Sequence, residues 1–180
     1  VEERKQQELV KLSMREKMAR LSTEYMTSIR ERFYEETRKQ IESETKKVFQ
    51  TLAWKTDQFN EIRLNQDFHL EIMDRWNRPS REELSAGERQ ILSLSFIAAM
   101  VRLSGEESPV IMDTPFARLS GNHLNNVARE LPDLVPQLVL FVTDQEWNDS
   151  SKAGLEPRVG AQYQLHFIDG CTTIEEVPFA

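Results

Sequence analysis

Leu84-Ser85-Ala86-Gly87-Glu88-Arg89-Gln90 opens a long apolar run, and Pro109-Val110-Ile111-Met112-Asp113 follows it after a polar break at 104–108. The first stretch sets a hydroxyl, two small residues and an acid where a helix should start. Ser85 and Glu88 have the spacing of a capping box, in which each side chain satisfies a free amide of the first turn. Gly87 leaves room for a ligand against the backbone, and the partial positive charge of a helix start favours an anion such as phosphate. The second stretch is a short apolar strand that ends in a carboxylate, a placement suited to a magnesium ion beside phosphates. Each pattern also occurs as plain structure, a capped helix or a strand-end turn. Their order and spacing carry the argument.

Working outward, residues 77–83 are polar, contain Pro79 and read as a loop. The helix starting at Ser85 or Gly87 should run to about Leu103. Ile91, Leu92, Leu94, Phe96, Ile97, Ala98, Ala99, Met100 and Val101 predict burial on most sides. Val110–Met112 and Leu138–Val142 are continuous apolar runs, as expected of central parallel strands covered on both faces. Between them, Ser120 is expected to cap a helix with Leu124, Val127, Ala128 and Leu131 inward, ending at Pro132. Upstream, Phe68 to Met73 alternates apolar and polar residues like a half-buried strand, with Glu61–Leu64 as partner and 65–67 as the turn. The tail reads as a hairpin: Tyr163, Leu165 and Phe167 alternate, Asp169-Gly170 turns, and Thr172–Val177 returns.

Residues 1–52 contain no Gly and no Pro. Met14, Met18, Leu21, Tyr25, Ile29 and Phe33, then Ile41, Val48 and Leu52, recur at steps of mostly three or four, a helical stripe. A helix of that length spans roughly 75 Å, which suggests a coiled-coil arm over 1–52 leading into a domain over 53–180. Thr37 makes the heptads imperfect. The formal net charge of −7 argues against a binder of nucleic acid by bulk charge. Residues 1–50 nevertheless carry twelve Lys and Arg against ten Glu, so the negative excess lies in the remainder. Cys171 is the only cysteine, which excludes a disulfide within the chain and favours a cytoplasmic setting. No apolar run approaches the roughly 20 residues needed to span a bilayer. Val1 lies inside the helical pattern, so the chain reads as part of a longer protein.

Leu84–Gln90 resembles the signature motif of ATP-binding-cassette ATPases, and Pro109–Ser120 resembles their Walker B strand with the D-loop after it. With a coiled-coil arm in front, the chain resembles the C-terminal half-head of an SMC-like ATPase. Asp113-Thr114-Pro115, Gln137–Trp147 and the ending Tyr163–Val177 look most like the D subunit of the bacterial DNA phosphorothioation (sulfur-modification) system. The resemblance covers about residues 55–180. It implies an α/β fold: the C-terminal lobe of an ABC/SMC-type head, a mostly parallel sheet with helices plus antiparallel strands.

It also implies ATP and magnesium as cofactors. Ser85 and Gly87, with Glu88, Gln90 and Ser120 around them, would meet ATP held by a second copy of the head. Asp113 would hold magnesium, and Asp113, Thr114, Thr143 and Asp144 would form the catalytic end. Three positions depart from the usual pattern: Thr114 stands where a Glu polarises water, Ser120 replaces the D-loop Asp, and Thr143 replaces the switch histidine. A threonine hydroxyl is no base near neutral pH, so Asp144 or Glu146 is the candidate replacement. None of the six glycines is followed by Lys, so the chain lacks the phosphate-binding loop. That loop is expected on the N-terminal half of the same protein. The implied partners are that half, a second head in a homodimer, DNA and other subunits of a DNA-modification complex, near the nucleoid and away from membranes. Alternatives are a double-strand-break repair ATPase working with a nuclease, and an assembly module that hydrolyses ATP weakly.

Overall fold

A computed structural model of the chain describes residues 2–53, 59–74, 76–79 and 84–178. The order is α1 (Glu2–Leu52), β1 (Phe59–Leu64), β2 (Leu70–Asp74), α2 (Ala86–Ser104), β3 (Pro109–Asp113), α3 (Gly121–Glu130), β4 (Gln137–Phe141), α4 (Asp149–Leu155), β5 (Tyr163–Ile168) and β6 (Cys171–Glu176), with short 3-10 turns at Leu131–Asp133 and Glu156–Arg158. The strands form three pairs: β1–β2 and β5–β6 antiparallel, β3–β4 parallel. The expected mostly parallel sheet is therefore one parallel pair among the described residues. Residues 80–83 of the expected loop lie outside them.

α1 has two parts. Its last turns bury Ile41, Thr45, Val48, Phe49 and Leu52, and pack on α2 and β1. The distal stripe is bare, with Met14, Met18, Tyr25 and Phe33 each about two-thirds exposed. Geometry explains why one stripe has two environments. From Tyr25 to Ile41 it climbs in steps of four, and each such step advances it by about 40° around the helix. It has turned through roughly 160° by Ile41. The apolar seam of the arm thus faces nearly opposite to the side that packs on the domain.

The joint between arm and domain is polar and specific. Glu42 Oε1 accepts the Leu64 N–H at 2.7 Å, and Arg38, paired with Glu42 at 3.1 Å, donates to the Leu64 carbonyl. Two side chains of α1 thereby take the place of a neighbouring strand at the end of β1. Asn126 of α3 donates to the carbonyls of Thr51 and Leu52 at 2.7 and 3.0 Å, satisfying acceptors that a helix end leaves open. At the end of β2, burial pushes the Asp74 carboxyl up. Hydrogen bonds from the backbone and side chain of Arg78 and the backbone of Trp76 outweigh it and hold the carboxyl below its ordinary value.

The core joins α1, β1–β2, α2, β3 and α3, with Ile91, Val127, Leu131 and Leu52 all wholly buried. α2 is not buried on most sides. Ile97, Met100 and Leu103 lie outward, 41–42% exposed, on the side of α2 away from α1 and the core among the described residues. β3 and β4 are likewise covered on one face. Val110 and Met112 point into the core, while Ile111 is 65% and Phe141 47% exposed. The expectation of strands covered on both faces is corrected: the second apolar face finds no cover within the described residues.

α4 went unpredicted. Asn148 caps it by accepting from the N–H groups of Ser150 and Ser151. Gly154 brings it onto α3, so close that a Cβ there would lie 2.8 Å from backbone atoms of Ala128 and Arg129. Backbone cannot yield as a flexible side chain can. Gly154→Ala should lower the unfolding free energy by about 1–3 kcal/mol, read as a lower denaturant midpoint.

Candidate functional site

α2 begins where the sequence places it. Ser85 is the N-cap; its Oγ accepts from Glu88 N–H at 3.2 Å, and Glu88 Oε2 accepts from Ser85 N–H at 2.8 Å. The box leaves two things open. The hydroxyl proton of Ser85 remains available to donate, since its oxygen is the acceptor in the cap. The N–H groups of Ala86 and Gly87 have no acceptor among the described residues. An exposed helix start with free amides and a free O–H is suited to an anion.

That helix start is fixed to the loop after β3. A Cβ on Gly87 would lie 3.0 Å from the Arg118 carbonyl, so the glycine is also needed for packing. Gln90 Nε2 donates to the Pro115 carbonyl. The Gln90 side chain, expected to face a nucleotide, is therefore turned toward its own fold.

Asp113 ends β3 and is exposed. Thr114 follows in the left-handed region at φ 48°, an uncommon place for a β-branched residue, with its N–H donating to Phe141 O at 2.8 Å. No group among the described residues donates to the Asp113 carboxylate. One free carboxylate fits magnesium, which takes one or two carboxylates plus phosphate and water oxygens; it does not fit a cage made by the protein alone.

β4 runs parallel to β3, with Asp113 opposite Phe141. The Thr143 hydroxyl donates to Glu146 Oε2 at 3.2 Å. Asp144 is exposed and carries no partner among the described residues. Glu146 is 5% exposed, and both its oxygens accept backbone N–H groups. Of the two acids considered as a base, Asp144 is the one open to water. Ser120 stands at the start of α3, but its side chain makes no cap hydrogen bond, contrary to expectation.

No known protein family matches the chain, and no curated protein does. Solved structures do. An SMC ATPase solved in work on ATP-driven dimerization and DNA-stimulated activation superposes with a TM-score of 0.58 at 18% identity, over 82% of this chain and 89% of that one. The SMC head domain with coiled coil and joint from Pyrococcus yayanosii gives 0.64 at 16% identity, over 86% of this chain and 30% of that one. The fold is that of an SMC head lobe with its coiled coil. The Pyrococcus furiosus SMC head with an extended coiled coil, bound to the C-terminal domain of ScpA, gives 0.59 at 17% identity, over 86% and 39%. The chain thus spans well under half of the two Pyrococcus structures.

Ser85 and Gly87 lie at the start of α2, Asp113 and Thr114 at the end of β3, and Thr143 and Asp144 just after β4. Sequence reasoning weighed Glu146 only as a base. It missed that Glu146, three residues after Thr143, reaches back to that residue and across to Phe116. Among the described residues no helix is long and apolar enough to cross a membrane.

Proposed function

We propose that this chain is the C-terminal half of an ATPase head that engages a second head around ATP and acts on DNA. The observation that carries the reading is the capped, exposed start of α2, with Ser85 O–H and two amides open, packed against the loop that follows the free carboxylate of Asp113. Residues 1–52 are the arm and 53–180 the half-head. The open face of β3 and β4 is the surface that the N-terminal half, carrying the phosphate-binding loop, would cover.

In this reading Ser85 and Gly87 grip the terminal phosphate of ATP on the opposite head. Asp113, with Thr114 beside it, holds magnesium, which screens phosphate charge when bound. Thr143 and Asp144 complete the catalytic end, where Asp144 can polarise water. The distal stripe of α1 pairs with a second helix of the arm. Work in DNA phosphorothioation, with the other subunits of that system, is the function the sequence resemblance favours. The Thr114, Ser120 and Thr143 replacements favour a second reading, in which ATP drives assembly and turns over slowly.

The test is dimerisation of the full-length protein. Its heads should be monomeric without nucleotide and pair on adding ATP with magnesium, seen by sedimentation velocity. Residues 1–180 alone should stay monomeric and hydrolyse nothing. Full-length heads that never respond to ATP would end the reading.

A further inference from the structure

Glu146 holds together parts of the chain that are distant in sequence. Its Oε1 accepts the Phe116 N–H at 2.7 Å, across thirty residues of chain. Its Oε2 accepts the Thr143 N–H at 3.1 Å and the Thr143 hydroxyl at 3.2 Å. Its carbonyl accepts the Ser151 hydroxyl of α4. The peptide group between Pro115 and Phe116 is gripped on both sides: Gln90 of α2 donates to its carbonyl, and Glu146 accepts from its N–H. One residue earlier, Thr114 is held left-handed. Such backbone persists only where its surroundings hold it. A buried carboxylate is costly unless its oxygens are satisfied, and here three donors satisfy it. Gln could not replace it, because an amide accepts at one end and donates at the other.

We propose that Glu146 is a positioning residue: its carboxylate locks the loop after Asp113 to the loop after β4, and through the shared peptide to the start of α2. The three segments then move as one unit. Resting on the ATPase reading above, this ties the helix start that meets the partner head's ATP to the strand ends that serve the head's own. It keeps Thr143 and Asp144 in register with Asp113 without Glu146 touching substrate.

The test compares full-length wild type with Glu146→Gln and Glu146→Ala, the former serving if the latter does not fold. Amide hydrogen exchange should rise together in segments 114–117 and 142–147 and stay unchanged in the middle of α2. At saturating ATP and magnesium, kcat should fall about 10- to 100-fold, with KM for ATP within about threefold. In the exchange readout, Thr143→Val should add little to the loosening caused by Glu146→Gln, since both break one link. Exchange that rises in one loop or neither overturns the clamp. A fall in kcat with unchanged exchange overturns it in favour of direct participation, and loosened loops with unchanged kcat overturn the positioning role. If wild type hydrolyses no ATP, the ATPase reading fails, and the exchange experiment still decides whether the clamp exists.

Discussion

In the full-length protein, Ser85→Arg should abolish ATP-dependent pairing of heads while each head binds ATP within about threefold of wild type, since the proposed arrangement puts Ser85 outside the head's own nucleotide site. Three effects act together. The substitution removes the O–H that is free to donate, because the Ser85 oxygen is already the acceptor for Glu88 N–H at 3.2 Å. It places a long side chain over the open amides of Ala86 and Gly87. It also sets a cation at the positive end of α2, where the helix dipole opposes it. Loss of the cap alone costs about 0.5–2 kcal/mol of stability. Ser85→Ala measures that part, since it lacks the cap but leaves the amides uncovered. Sedimentation with ATP and magnesium reads pairing, and a fluorescent ATP titration reads binding. Full pairing by Ser85→Arg would remove Ser85 from the interface between heads. A matched loss of ATP binding would place it in the head's own site.

The start of α2 was legible because its signals are local. Ser85, Gly87 and Glu88 lie within one turn, and the cap they predict is the cap that forms. The arm was legible because helical spacing without Gly or Pro has one simple reading. What such spacing hides is the slow rotation of a stripe that climbs by fours, so the change from bare seam to buried base over Phe33–Ile41 needed the structure. The faces of β3 and β4 were misread for a different reason. An apolar run says that a strand wants cover on both sides, not that this chain supplies it, and Ile111 at 65% exposed is the result. α4 escaped because seven residues carry too little periodicity, and Gly154 reads as a breaker until its contact with Ala128 is seen. The resemblance that put Gln90 by the nucleotide, and the missing acid that made Glu146 a candidate base, say nothing about direction. Both side chains turn inward, onto the two ends of one peptide group.

Asp113→Asn separates hydrolysis from folding and from pairing, and so decides between a working ATPase and an assembly module. Asp113 is exposed and no group among the described residues donates to its carboxylate, so losing the charge breaks no contact of the fold. Stability should change by no more than about 0.5 kcal/mol, as for other surface substitutions. Hydrolysis should fall at least about 100-fold, because Asn keeps the shape but weakens the hold on a divalent ion that screens phosphate charge, and two decades in rate correspond to about 2.7 kcal/mol of barrier. Pairing of heads should persist or lengthen, since the contacts proposed for Ser85 and Gly87 to nucleotide do not involve Asp113. Single-turnover hydrolysis and sedimentation measure the two effects on one preparation. Unchanged turnover in the variant would remove Asp113 from the magnesium site. A wild type that pairs with ATP yet turns it over no faster than Asp113→Asn would leave the nucleotide as a clasp. The replacements at Thr114, Ser120 and Thr143 would then be the reason: with no acid directly after Asp113 and Glu146 committed to Phe116 and Thr143, the exposed Asp144 would be the one of the two candidate bases left to polarise water.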